Sequence, residues 1–450
     1  MAVNQGTMVK DLTNGNVTRQ LLVFAFPLFI SNALQAVYNI VDMVVVGRFI
    51  GGAGMSAVSI GGDLLHLLTF VSMGFASAGQ VIIARHVGER RMKEVSETIG
   101  TLFTFLLSAS VTIAVICFLL RYPLLNALNT PAESYSYAMD YLVTCIAGLV
   151  FIYGYNIVSA ILRGMGDSRR PFVFVAIAAI LNIILDLVFV VVFHMEVFGA
   201  ALATVIGQGV SFISSLIYLF VKRQSFGFDF KLKSFAIKGR VLKPLVLLGI
   251  PMAIQSAAVN FSKVLLMSWI NLEGVIYSAL AGIFNKINVV SGVVSMSFTA
   301  AGSSMVGQNL GARKYERVPR ILGTIGVVNM CMLTAFTAAL LLFPNHIYGM
   351  FTSDVAVLSL AGILTMPIIL NFYGAATRTV SFALINGSGN TKLNLAIALI
   401  DGILMRIGLA ALLCFGFSMG SLGCWYGDAI AGFMPLLIGL VFYLSGRWKK

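Results

Sequence analysis

Charge is what this 450-residue sequence has least of: Asp, Glu, Lys and Arg make up 10% of it, while 59% is hydrophobic. A typical soluble domain carries about 25% charged residues, so no sizeable water-facing domain fits here. Histidine is scarce, with four scattered residues, and this leaves no nucleophile or metal constellation for a membrane enzyme. His194-Met195-Glu196, expected in a short outer loop, does not amount to a metal site. The five cysteines (Cys117, Cys145, Cys331, Cys414, Cys424) lie in apolar runs without a C-x-x-C pair, so they read as small buried hydrophobes rather than a disulfide or metal framework. No G-x-x-x-x-G-K-[ST] sequence occurs, which argues against ATP as a direct energy source. The first 17 residues lack the short apolar core of a cleaved signal, so the first helix is expected to direct insertion.

What the chain has is apolar runs of membrane-spanning length, about 20 residues each. Twelve helices are expected, over 18–47, 53–84, 97–121, 135–162, 171–193, 197–221, 244–271, 277–308, 319–343, 353–385, 394–415 and 420–445. The net charge of +13 is explained by position: with the N-terminus inside, 24 of the 30 basic residues fall on the cytoplasmic side, seven of them between Lys222 and Lys243. That asymmetry is the positive-inside pattern. It places both termini in the cytoplasm and leaves no continuous basic face for nucleic acid.

The second half repeats the first. Val71-Ser72-Met73-Gly74-Phe75 returns as Val294-Ser295-Met296-Ser297-Phe298, an offset of 223 that also relates Gly88 to Gly311 and Gly164-Met165-Gly166-Asp167 to Gly387-Ser388-Gly389-Asn390. An offset of 224 relates Phe26-Pro27 to Ile250-Pro251, and Gly199 to Gly423. Six helices lie between equivalent points, an even number, so the repeats are parallel, related by an axis along the membrane normal. The fold class is therefore an all-α membrane protein of twelve transmembrane helices in two parallel six-helix repeats. The expected organisation is a cytoplasmic segment 1–17, an N-lobe 18–221, a cytoplasmic linker 222–243, a C-lobe 244–445 and a tail 446–450. Pro27 and Pro251, at equivalent positions in helices 1 and 7, are expected to kink them.

Ionisable residues inside such helices are costly and mark functional candidates. Gln35, Tyr38, Asn39 and Asp42 follow i, i+3, i+4, i+7 spacing and share a face of helix 1. Asn182 and Asp186 form an i, i+4 pair, counted here on helix 6, with the boundaries near 171–197 leaving helix 5 open. Two inward carboxylates with oxygen-bearing neighbours suit Na⁺, or a proton, because burial and a like charge both favour a carboxyl's neutral form; a purely structural, hydrogen-bonding role is the alternative. Neither carboxylate is duplicated: position 42 maps near Leu266 and position 186 near Leu409. The C-lobe instead carries Lys263, Lys286, Arg378 and Arg406 with Asp401 and Asp428. Asp401 and Arg406 can form a structural ion pair and Lys286 can snorkel, or the group can line a basic, substrate-facing cavity. Asp63 and His66 read as an outer-rim polar pair, and most of the twenty methionines as ordinary packing.

Lys10-Asp11-Leu12-Thr13, Pro27, Gln35, Tyr38, Asp42, Val46-Gly47-Arg48, Arg163-Gly164-x-Gly166-Asp167, Asn182-x-x-x-Asp186 and Gly199-Ala200-Ala201-x-Ala203-Thr204 together resemble the multidrug and toxic compound extrusion (MATE) transporters, along essentially the whole chain. The resemblance implies a V-shaped two-lobe fold, alternating access, and efflux of cationic or amphiphilic compounds in exchange for H⁺ or Na⁺. The chain is similar to the DinF-like branch, which implies a cation-coupling site at Asp42, Asn182, Asp186 and Thr204, with Gln35, Tyr38, Tyr141 and Asn156 as neighbours. Two departures stand out: Leu187 replaces the proline that often follows the second Asp, and the C-lobe is unusually cationic. Helices 7 and 10 offer Asn260 and Asn371 where the NorM-like branch uses carboxylates. The expected protein is a monomeric antiporter of the cell (inner) membrane, acting on small-molecule substrates amid membrane lipid, with no cofactor beyond the coupling ion. A lipid-linked oligosaccharide flippase, or another exporter of anionic or zwitterionic solutes, is the alternative.

Overall fold

The computed structural model describes residues 9–449, so part of the expected segment 1–17 and the last residue of the tail lie outside the described residues. Every span is helical, as a chain that must satisfy its backbone internally in lipid requires. In chain order the spans are α1 Val17–Phe49, α2 Gly52–Gly88, α3 Met92–Leu119, α4 formed by Ala132–Ala147 and Leu149–Gly164, α5 Arg169–Val192, α6 Glu196–Val221, α7 Gly239–Asn271, α8 Val275–Gly311, α9 Tyr315–Leu342, α10 Val355–Gly387, α11 Thr391–Gly416 and α12 Ser421–Leu444. This is the twelve-span plan expected from the sequence, with one difference. The continuous fourth helix is bent by 46° at Gly148, where α6 comes so close that a Cβ would stand 2.5 Å from the Val205 side chain. A second correction follows from the count: Asp186 lies on α5, not on a sixth helix.

The backbone reproduces the repeat. Left-handed residues pair across the halves at Gly51 (φ 89°) and Gly274 (106°), Arg90 (60°) and Arg313 (58°), and Gly166 (86°) and Gly389 (69°), each 223 apart. Beyond them His194 (53°) pairs with Ser418 (56°) and Glu196 (51°) with Gly420 (58°), now 224 apart. The added residue has a structural cause. Both halves carry a π-helical stretch late in the corresponding span, Leu187–Val192 and Leu412–Gly416, but α11 has a further one at Ile400–Met405. A π turn accommodates an extra residue within a helix and is common at functional sites; this one carries Asp401.

By packing, the chain forms two compact units. One comprises the described residues through Asp11 with Phe26–Ile250, the other Leu12–Ala25 with Pro251 onward. The polar linker suggests a division within 222–243; the chain instead changes unit within α1 and α7, beside Pro27 and at Pro251.

In the first unit, Lys10 donates its N–H to the Met165 carbonyl (2.8 Å) and its ammonium to the buried Asp167 (3.1 Å). Asp167 also receives Arg170 at 2.7 Å. The linker is anchored here rather than free. Phe226 and Phe228 are buried, Thr104 donates to the Phe235 carbonyl (2.5 Å), the Lys238 N–H donates to Thr101 (3.2 Å), and Arg240 pairs with Glu97. Gly100 makes that docking possible: a Cβ there would lie 1.8 Å from the Ser234 carbonyl oxygen.

In the second unit the entry to α1 is tied to the ends of α8 and α9. The Leu12 N–H donates to Gln308 (3.0 Å), Asn309 to the Leu12 carbonyl (3.1 Å), Lys314 to the Thr13 carbonyl (2.9 Å), and Arg317 to the Gly15 carbonyl (2.9 Å) and Gln20 (3.0 Å).

Candidate functional site

In the first unit α1, α5 and α6 carry one polar cluster within apolar packing. Asp42 is 7% exposed, Asn182 3% and Asp186 fully buried. The helices approach closely because of Gly207, whose place a Cβ could take only 3.2 Å from the Ala178 carbonyl oxygen and 3.4 Å from the Asn182 Cβ. The Asn182 amide donates to the Thr204 hydroxyl at 3.5 Å. Asp42 and Asp186 are near enough for their charges to interact. Tyr38 and the buried Tyr141 lie in the same electrostatic neighbourhood of Asp42.

The hydrogen-bond balance is unusual. Asp42 Oδ1, Asn182 Oδ1 and both carboxylate oxygens of Asp186 are buried without a partner. Buried polar atoms are nearly always hydrogen-bonded, yet these four acceptors of one cluster have no donor. Two kinds of guest complete such a site: a proton on a carboxyl, which turns one acceptor into a donor, or a hard cation, which takes oxygen ligands. Among the described residues no group of three or more His, Cys, Asp or Glu is arranged to hold a metal.

The remaining N-lobe candidates divide. Gln35 and Tyr38 are half-buried, whereas Asn39 is exposed and is not buried with Asp42. Asn156 donates to Ser72 at 3.2 Å, a pair repeated in the second unit as Ser295 and Thr379 at 2.7 Å, each 223 residues on.

The second unit carries a different cluster. Arg406, 1% exposed, bonds Asp401 at 3.2 Å and Asp428 in a closer contact. The Asn371 amide donates to the other Asp428 oxygen at 3.2 Å. Lys263 and Arg378 lie within electrostatic reach of this pairing, but neither makes an ion pair among the described residues. Lys286 is exposed and stands apart. Beside the network a narrow, half-open cleft is lined by Lys263, Leu266, Phe284, Asn285, Trp425 and Asp428, among others.

The Arg406–Asp428 contact, the Asn371 bond and Trp425 were not foreseen from the sequence. A signal for the first was present: past the extra π turn the offset is 224, and it carries Asn182 onto Arg406 and Thr204 onto Asp428. The same step moves the counterpart of Asp186 from Leu409 to Ala410. Nothing in an apolar run marks one tryptophan as special.

The MatE family model matches the chain twice, over residues 27–188 and 251–412, each match beginning at one of the paired prolines. Among curated relatives, "Probable multidrug resistance protein YpnP" of Bacillus subtilis is 28% identical, covering 98% of this chain and 97% of its own length. Among solved structures, an outward-facing multidrug resistance MATE family transporter of the MOP superfamily superposes with a TM-score of 0.91 at 22% identity, all of both chains being covered. A MOP superfamily transporter from Pyrococcus furiosus, described as having a binding pocket of reverse polarity, gives 0.87 at 22% identity, again over 100% of both chains.

Proposed function

The chain belongs to the MatE family of multispan membrane transporters, and from that premise we propose that it is a secondary multidrug antiporter, exporting amphiphilic compounds, cationic ones foremost, in exchange for H⁺ or Na⁺. The observation that carries this reading is the set of four buried, unpartnered oxygen atoms on Asp42, Asn182 and Asp186. A site that only braced helices would have its acceptors matched to donors. A coupling site needs acceptors that one state satisfies with an ion and another releases.

Asp42 sits on α1, the helix that changes packing unit beside Pro27. Asn182, Asp186 and Thr204 sit on α5 and α6, held together across Gly207. An ion taken up here bridges α1 to α5 and α6, and its loss frees α1. Substrate and ion therefore compete, or bias opposite states, which is the thermodynamic content of antiport. The placement of the coupling site in the N-lobe is that of the DinF-like branch. The protein acts as a monomer in the cell membrane with both termini cytoplasmic, supported by the 24 of 30 basic residues on that side. It uses neither ATP nor an organic cofactor.

A second reading, export of anionic or zwitterionic solutes such as lipid-linked oligosaccharides, is favoured by one observation: in the C-lobe cluster three cations face two carboxylates.

The test uses purified protein in liposomes and a fluorescent cationic dye, under an imposed pH gradient or an imposed Na⁺ gradient. Dye movement under one gradient, abolished by Asp42→Asn and by Asp186→Asn in folded protein, is the expected result and names the ion. Undiminished movement with Asp42→Asn would sink the coupling role.

A further inference from the structure

We propose that the C-lobe cleft is a subsite for the carboxylate of an aromatic amphiphile, with Lys263 as its counter-ion and the Trp425 indole N–H as a second donor. The inference deepens the second functional reading and rests on it for the cleft being open to substrate.

Charge balance comes first. Asp428 is fully engaged, one oxygen by Arg406 and the other by Asn371. Asp401 is also held by Arg406. Lys263 therefore borders the cleft with no carboxylate in ion-pair contact, and Arg378 adds a further unmatched cation to the same neighbourhood. An uncompensated charge inside a membrane span is expensive and is retained where it serves a substrate or an ion.

The second observation is independent of charge. Trp425 is 2% exposed and lines the cleft, yet its indole nitrogen has no hydrogen-bond partner. Indole is a donor only, so what satisfies it must be an acceptor. The exposed Asn285 amide adds a third polar group at the rim. Asp428 also borders the cleft, its oxygens taken up by Arg406 and Asn371, and the remaining wall is largely apolar, with Leu266 and Phe284 prominent. A cation and an unpartnered N–H beside a largely apolar, aromatic wall match the chemistry of an oxygen anion attached to an apolar aromatic body.

The repeat shows that this chemistry was acquired by one half. Counted from the paired prolines, Lys263 stands where the N-lobe has Asn39, Arg406 replaces Asn182 and Asp428 replaces Thr204. The N-lobe cluster has four buried acceptors without donors; the C-lobe cluster has one, Asp401 Oδ2, with unpartnered donors at Arg406 Nε and Trp425 beside it.

The experiment measures binding of tritiated 1-naphthylacetate to the full chain in nanodiscs of zwitterionic lipid, with no ion gradient. The coupling reading can thus fail in the liposome assay without touching this result, and the reverse. Saturable binding is expected, with the uncharged 1-naphthylacetamide competing at least about tenfold less well, since the charge-assisted contact is lost. Lys263→Gln weakens binding by about tenfold or more, Lys263→Arg retains it within about threefold, and Trp425→Phe weakens it about three- to fivefold. Should Lys263→Gln fail to fold, Lys263→Arg and Trp425→Phe still decide the matter. Equal competition by the amide, undiminished binding to folded Lys263→Gln, or displacement of the probe by anionic phosphatidylglycerol in the disc with no such effect of the soluble carboxylate, would each overturn the proposal.

Discussion

Replacing Arg406 by Met tests what holds the C-lobe together. Met preserves helix propensity and bulk, so the change removes little beyond the charge and its hydrogen bonds. At an effective dielectric of about 20, the 3.2 Å contact to Asp401 represents about 5 kcal/mol of gross attraction. Most of that is offset by the cost of taking both ions out of water. The variant does not recover this cost, because Asp401 and Asp428 stay buried, at 0% and 3% exposure, without their shared cation. Breaking a buried pair from one side costs about 3–5 kcal/mol, and nearby Lys263 and Arg378 hold the loss towards the lower end. Against a total stability of about 5–15 kcal/mol, that is severe. Thermal melting in detergent, read as the monodisperse fraction by fluorescence size-exclusion, should fall sharply for Arg406→Met. The triple variant Asp401→Asn, Arg406→Met, Asp428→Asn should recover part of the loss, since no buried carboxylate is left without its arginine, while Lys263 and Arg378 lose their electrostatic partners and limit the recovery. Parental melting of Arg406→Met, or a triple variant as labile as the single one, would refute the reasoning.

Three further outcomes follow from local geometry. Gly100→Ala drives a methyl into the Ser234 carbonyl oxygen and should cost about 1–3 kcal/mol, seen as a lower melting temperature and faster limited proteolysis between residues 222 and 243. Gly207→Val separates α5 from α6 at Asn182 and should abolish gradient-driven dye export while leaving naphthylacetate binding in the C-lobe intact. Pro251→Ala restores a backbone N–H and removes a ring that clashes with the preceding turn, a defect worth about 3 kcal/mol in a helix interior; melting should rise while dye turnover falls, because α7 changes packing unit at that residue.

The membrane class, the twelve spans and the duplication were legible because each rests on a long-range pattern: hydropathy over about 20 residues, and motifs recurring at a fixed offset. Asp42, Asn182 and Asp186 were legible because polar groups stand out in apolar helices. What was hidden depends on single residues or on register. The bend at Gly148 is a matter of how near Val205 comes, which no local propensity encodes. The exchange of chain between units at Pro27 and Pro251 needs contacts, since the prolines alone announce only a kink. The linker's polar, basic composition masked Phe226 and Phe228, which are buried, and Phe235, which packs edge-on against Phe103 of α3. Most instructive is the one-residue change of offset. Carried at 223, the repeat sets Arg406 on Ile183 and Asp428 on Val205, both apolar; carried at 224, it sets Arg406 on Asn182 and Asp428 on Thr204.

That register has a consequence for mechanism. Duplication supplies two copies of one backbone frame, down to paired left-handed residues, and identical copies would answer one ion identically. The cluster on α1, α5 and α6 has buried acceptors without donors, which is what supports the proposed proton or cation there. The corresponding region of α11 and α12 has gained an extra π turn and an ion-pair network of Arg406 with Asp401 and Asp428, with Lys263 and Arg378 outside any ion pair. In that network the two carboxylates hold one arginine, while Lys263 and the Trp425 N–H border the cleft without a partner of their own. The division of labour is therefore chemical before it is conformational. On the two proposals, one half would take the coupling ion and the other would offer a counter-ion to an anionic substrate, so divergence at a few equivalent positions, not the shared frame, would set what the transporter carries.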